Sequence, residues 1–160
     1  CICFGSNNTK SIVAAEAYAL HRDRLKSDAV AEYDPYIAHR LSGGQNISAA
    51  DYINMLATRE KIWADVQVMT QHIDALILPT SPILPPALRT LDTIEAKTAT
   101  NASCLRNTSL SNYLDRPTIT LPCHSLGTAP VGISLMGPRF HDRHLLAIAS
   151  GVEKVINTTR

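Results

Sequence analysis

The stretch "DALILPTSPILPP", Asp74 to Pro86, limits the fold of this chain more than any other. Ala75 to Leu78 is a short unbroken apolar run, the pattern of a strand covered on both faces. Pro79, Pro82, Pro85 and Pro86 follow it. Each fixes φ, removes an amide donor and pushes the residue before it into extended backbone, so the strand cannot lengthen. A strand that stops at a stiff loop, with helical periodicity on both sides, predicts an α/β fold. Such folds commonly hold functional groups in a stiff loop at a strand end.

The N-terminal segments read as helices. In "SIVAAEAYALHRDRLK" the residues Val13, Ala17, Leu20 and Arg24 fall on one stripe, and the last turns carry Arg22, Arg24 and Lys26. Asp34 and Pro35 open a second, short helix as cap and first residue, and Gly43 and Gly44 are expected to stop it. Ser48 caps a third, with Asp51 placed for a capping box. Along that helix Tyr52, Met55, Leu56, Ile62, Trp63, Val66 and Met69 trace an apolar face, which is read as core packing.

Beyond the proline loop, residues 87–96 read as irregular and residues 98–114 as helical. The latter stretch is rich in Asn, Ser and Thr and nearly uncharged, as expected of a helix facing a polar cavity or of capping residues at several breaks. "PTITLP" and "PVGISLMG" read as two strands of a hairpin. Asp142 opens a last helix, with Leu145, Ala149, Val152 and Ile156 on one face. The sum is a partial, mixed β-sheet flanked by helices, in one unit of residues 1–160.

With 160 residues and 45% hydrophobic composition, the chain is long and apolar enough to build a core. A net charge of +1, with acids and bases interspersed, gives no footprint for nucleic acid. No apolar run approaches the roughly 20 residues of a membrane span. The chain opens at Cys1 within "CICFG", without an initiator Met, and is read as a piece of a longer polypeptide. Cys1, Cys3, Cys104 and Cys123 match no zinc spacing, so reduced cysteines and a cytoplasmic setting are expected. Five Asn-x-Ser/Thr triplets, at Asn7, Asn46, Asn101, Asn107 and Asn157, point the other way. Neither a cofactor nor a metal is expected.

Four places carry chemistry-bearing side chains. Cys123, His124 and Ser125 are consecutive, but neighbours on extended chain point to opposite faces, which favours a strand end over a catalytic cluster. His141 and His144 share a helix face and lack a third ligand. Asp74 is placed to act as a base, a cap or an ion-pair partner. Arg106 is the lone charge among Asn101, Asn107 and Asn112. Its fork suits a substrate carboxylate or carbonyl, and equally an ion pair with Asp115.

Three blocks occur together and in order: "HRDRLKSDAVAEYDPYIAHRLSGGQNISAADYINMLATR", "DALILPTSPILPP" and "LRNTSLSNYLDRPTITLPCHSLGTAPVGISLMGPRFHDRHLLAIASGVE". The set resembles the C-terminal part of an amidase-signature hydrolase and covers nearly the whole chain. The resemblance implies an α/β/α sandwich and hydrolysis of a carboxamide C–N bond by a serine, a second serine on a cis peptide and a lysine. Those catalytic groups lie in a glycine- and serine-rich N-terminal half of the family. This chain has seven glycines and no such stretch, so no catalytic residue carries over. Its implied role is scaffold and substrate-pocket wall, with Thr80, Ser81, Arg106 and Asn112 as binding residues. The implied partners are a small-molecule amide, an N-terminal amidase half on the same or a separate chain, and a possible second copy in a homodimer. A non-catalytic binding or interaction module, or part of an amidotransferase subunit, is the alternative.

Overall fold

The computed structural model describes residues 6–158, with side chains from residue 11 onward. Cys1, Cys3 and the opening "CICFG" lie outside the described residues. The chain divides between Lys61 and Ile62 into two compact units.

The first unit contains α1 (Ser6–Leu25), a 3-10 turn at Asp28–Glu32, α2 (Pro35–Ser42), a second 3-10 turn at Gly43–Asn46, and the start of α3 (Ala49–Met69). The caps are those expected. Asp34 accepts from the amides of Tyr36 and Ile37 at 2.9 and 3.2 Å. Ser48 Oγ accepts from the Asp51 amide at 3.1 Å, while Asp51 turns back to the Ser48 hydroxyl at 2.6 Å. One expectation needs correction. The α1 stripe has the right period and the wrong phase: Val13 and Leu20 are exposed, and Ile12 is the buried side chain. As expected, α2 stops at the glycines, with Gly43 as its C-cap; Gly43 keeps a right-handed φ of −59° and opens the 3-10 turn. Gly44 also permits a close approach. A Cβ there would lie 2.0 Å from the Ala14 carbonyl oxygen and 2.8 Å from Tyr18 Cβ.

The second unit is α/β. It holds β1 (Leu76–Pro79), α4 (Ile94–Cys104), α5 (Thr108–Leu114), β2 (Thr118–Pro122), β3 (Gly132–Met136) and α6 (Asp142–Thr158). β2 and β3 form the expected hairpin, and β1 pairs with the other side of β3, giving the order β1-β3-β2. A mixed sheet was the expectation, but the three described strands all pair antiparallel. β1 and β2 do run in the same direction; β3 lies between them and separates them. Leu121 and Leu135 share one face and pack with Leu145 and Ala149 of α6 as the core, flanked by Ile119, Ile133, Val152 and Ile156. That is the face of α6 that periodicity selects.

Two further readings change. β1 is not covered on both sides, since Ile77 is 66% exposed. The segment read as irregular already contains a 3-10 turn at Leu88–Thr90 and the start of α4, capped by Thr93, whose hydroxyl accepts from the Ala96 amide at 3.1 Å. The polar stretch after it is two helices. They break at Leu105–Asn107, on either side of which the Ser103 and Thr108 hydroxyls donate to the Ala99 and Leu105 carbonyls.

Candidate functional site

The end of β1 is tied down from three directions. The Thr80 amide donates to the Gly132 carbonyl at 2.9 Å, continuing the ladder past Pro79. The Thr80 hydroxyl lies 2.8 Å from Ser134 Oγ and 3.3 Å from Thr120 Oγ1, and Thr120 and Ser134 are 3.1 Å apart. A ring of this geometry lets each hydroxyl donate once and accept once, so Ser134 can be buried (2% exposed) without an orphaned polar atom. Gly132 makes the room. A Cβ there would meet Thr120 Cγ2 at 2.8 Å and Thr80 Oγ1 at 3.1 Å.

The loop beyond is held by Ser81 and Asn107. Ser81 donates to the Ile83 carbonyl at 3.0 Å and accepts from the Ile83 amide at 3.4 Å, closing a local turn. Asn107, at the entry to α5, donates its side-chain amide to the Pro79 carbonyl at 2.6 Å. This bond places Thr80 and Ser81 beside the break between α4 and α5. Arg106 precedes Asn107 in that break; its side chain is exposed, with Nε 3.5 Å from Asn107 Oδ1. Its alternative partner is taken, because Asp115 pairs with Arg139.

Asn112 lies elsewhere, in a cleft of about 400 Å³ lined also by Ser111, Asp115, Arg116, Arg139 and Phe140. Arg116 is buried there and donates to the Thr70 hydroxyl at 2.6 Å. Desolvation lowers its pKa. Sequence reasoning singled out neither Arg116 nor the Ser134–Thr120 pair. A hydroxyl in "PTITLP" and another in "VGISLM" were the available signal for that pair, and only the strand register, which sets Thr120 opposite Ser134, turns them into a ring.

The other candidates resolve into structure. Cys123 and His124 sit at the β2 end: the Cys123 amide donates to the Val131 carbonyl at 2.9 Å, and His124 Nδ1 lies 3.2 Å from the same oxygen. The Ser125 carbonyl accepts from the Thr128 amide and hydroxyl at 3.1 and 2.7 Å. No carboxylate lies within 4 Å of the His124 ring nitrogens among the described residues. His144 pairs with Asp74 at 3.1 Å. Among the described residues, no group of three or more His, Cys, Asp or Glu side chains is placed to hold a metal ion. Nor, among the described residues, is any helix long and apolar enough to cross a membrane.

An antiparallel three-stranded sheet backed by α6, with a proline loop pinned at its edge, makes the second unit an α/β scaffold. Residues 3–146 match the Amidase family, and the chain belongs to it. It is 30% identical over 145 residues to 2-amino-5-chloromuconic acid deaminase of Comamonas testosteroni, covering 90% of this chain and 31% of the relative. To a subunit of glutamyl-tRNA(Gln) amidotransferase from Sulfurisphaera tokodaii it is 32% identical over 106 residues, 66% of this chain and 22% of the relative. A crystal structure of an amidase superposes with a TM-score of 0.80 at 25% identity, covering 94% of this chain and 35% of that one. The chain therefore spans about a third or less of the relatives it matches.

Proposed function

We propose that this chain is the C-terminal portion of an amidase that hydrolyses a carboxamide C–N bond through a serine, a cis-peptide serine and a lysine supplied outside these residues. Its own part is scaffold and pocket wall. One observation carries this reading: the local cluster that holds both a nucleophile and a base, Cys123 to Ser125, is engaged by turn and strand-end bonds. Amide hydrolysis needs an activated nucleophile and oxyanion donors converging on one carbonyl. The rigid loop at Thr80 and Ser81 and the exposed Arg106 beside it supply a wall for a substrate to rest on. The exposed Arg106 fork favours an acidic or carbonyl-rich amide.

Ammonia release from a simple carboxamide tests the first part. The 160-residue chain alone is expected to give none, and the same chain joined to an amidase N-terminal half is expected to turn over. Turnover by the chain alone overturns the reading. In the joined protein, Arg106→Ala is expected to raise KM for an acidic amide with little change for a neutral one, and Arg106→Lys to restore part of the loss. Equal KM values for both substrates remove Arg106 from the pocket.

The similarity to an amidotransferase favours a second reading, in which the released ammonia passes to a carried acceptor. Amidated acceptor in place of free ammonia distinguishes it.

A further inference from the structure

The break between α4 and α5 carries a side chain that does not do what its position suggests. Asn107 is the cap residue of α5, and an asparagine there normally gives its side-chain oxygen to an amide of the first turn. Asn107 makes no such bond, and its backbone is already helical (φ −80°, ψ −42°). Its side-chain amide goes instead to the Pro79 carbonyl, 2.6 Å away and 28 positions back in the chain. The half-buried side chain serves the strand end and not the helix that it opens.

The Thr80 amide donates to the Gly132 carbonyl at 2.9 Å, toward β3. Across a trans peptide the C=O points the opposite way, so the Pro79 carbonyl faces the edge of β1 that no strand covers among the described residues. Pro79 brings no amide to that edge. Asn107 supplies the donor that an adjoining strand would have supplied to its carbonyl. The Pro79–Thr80 peptide is thereby held from both sides, by β3 and by the α4–α5 break. The Thr80 hydroxyl, 2.8 Å from Ser134 Oγ, fixes the side chain that follows. Pro82, Pro85 and Pro86 stiffen the chain beyond, so a shift at Pro79 is carried along the loop and not absorbed by it.

We propose that Asn107 is a positioning residue for the amide substrate: by holding the Pro79 carbonyl it sets the Thr80–Ser81 wall against the α4–α5 break that carries Arg106. Its part is to place other groups. The inference deepens the pocket-wall reading and rests on it. A wall held in place contributes binding that the substrate and the transition state share, so its loss is read in KM and not in kcat. A bond that served folding alone would instead reduce the amount of folded enzyme, which lowers apparent kcat and leaves KM unchanged.

Asn107→Asp keeps the size of the side chain and replaces its donor with a carboxylate oxygen. In the 160-residue chain it is expected to speed hydrogen exchange of the Thr80 amide about tenfold, with the amides between β2 and β3 unchanged. In the chain joined to an amidase N-terminal half it is expected to raise KM for a neutral amide about fivefold, with kcat within about twofold. Asn107→Gln, which keeps the donor, is expected to recover part of both effects. Unchanged Thr80 exchange overturns the proposal and leaves the pocket-wall reading standing. Faster exchange with an unchanged KM overturns both, because the loop then lies away from the substrate. A KM for Asn107→Gln as high as that for Asn107→Asp overturns the proposal alone. If Asn107→Asp loses its helical circular dichroism, Asn107→Ala is read by the same two measurements with the same outcomes.

Discussion

In the first unit Tyr52 bonds across from α3 to α1. Its hydroxyl donates to Glu16 Oε1 at 2.8 Å, and this bond raises the phenol pKa above 10; desolvation and the Glu16 charge act in the same sense, and Arg59 opposes them. The folded value exceeds the unfolded one, so the stabilisation is complete below about pH 10 and is lost as pH rises through the folded pKa. Urea midpoints measured between about pH 9 and 11 are expected to fall for the wild type. They should fall less for Tyr52→Phe, and equal slopes would show that the bond does not matter. At this scale the family resemblance of their loop marked Thr80 and Ser81, and both are bonded within the structure. The sequence also marked Arg106, which turned out to be exposed, and it missed Arg116. Nothing in the triplet Asp-Arg-Pro separates an exposed arginine from a buried one. That difference comes from the left-handed turn at Asp115.

Elements were legible where their signals are local. The caps at Asp34 and Ser48, the β2–β3 hairpin and the apolar face of α6 depend on residues a few positions apart, and all are present. The misses are also physical. The Val13–Leu20 stripe in α1 has a period, but Ile12 and several alanines lie off it, and the helix buries Ile12 while Ala14 and Tyr18 approach Gly44. The unbroken apolar run of β1 suggested two covered faces, yet as an edge strand it leaves Ile77 open among the described residues. Of the element signals, the Asp34 cap is the simplest to test. Asp34→Ala removes the acceptor of two α2 amides and is expected to lower stability by about 1 kcal/mol, read as a lower urea midpoint with unchanged slope. An unchanged midpoint would mean that solvent replaces the cap at no cost.

For the whole molecule, the sheet governs behaviour. β1 and β2 each leave one edge unpaired among the described residues, and the β1 side presents Ile73 and Ile77 beside α6. Unpaired edges and apolar surface drive association. The 160-residue chain is expected to gain mass with concentration in light scattering, and Ile77→Lys to reduce that gain. A concentration-independent monomer would contradict this. By itself the sequence determined the α/β class, most elements and their caps, and membership of the Amidase family, because periodicity, capping and ordered motifs are written in near neighbours. Only the tertiary structure decided the strand order, the hydroxyl ring, the clamp from Asn107 to Pro79 across 28 positions and the contact from Arg116 to Thr70 across 46. Contacts at such separations depend on register and on the path of the backbone, and no local pattern of residues encodes either.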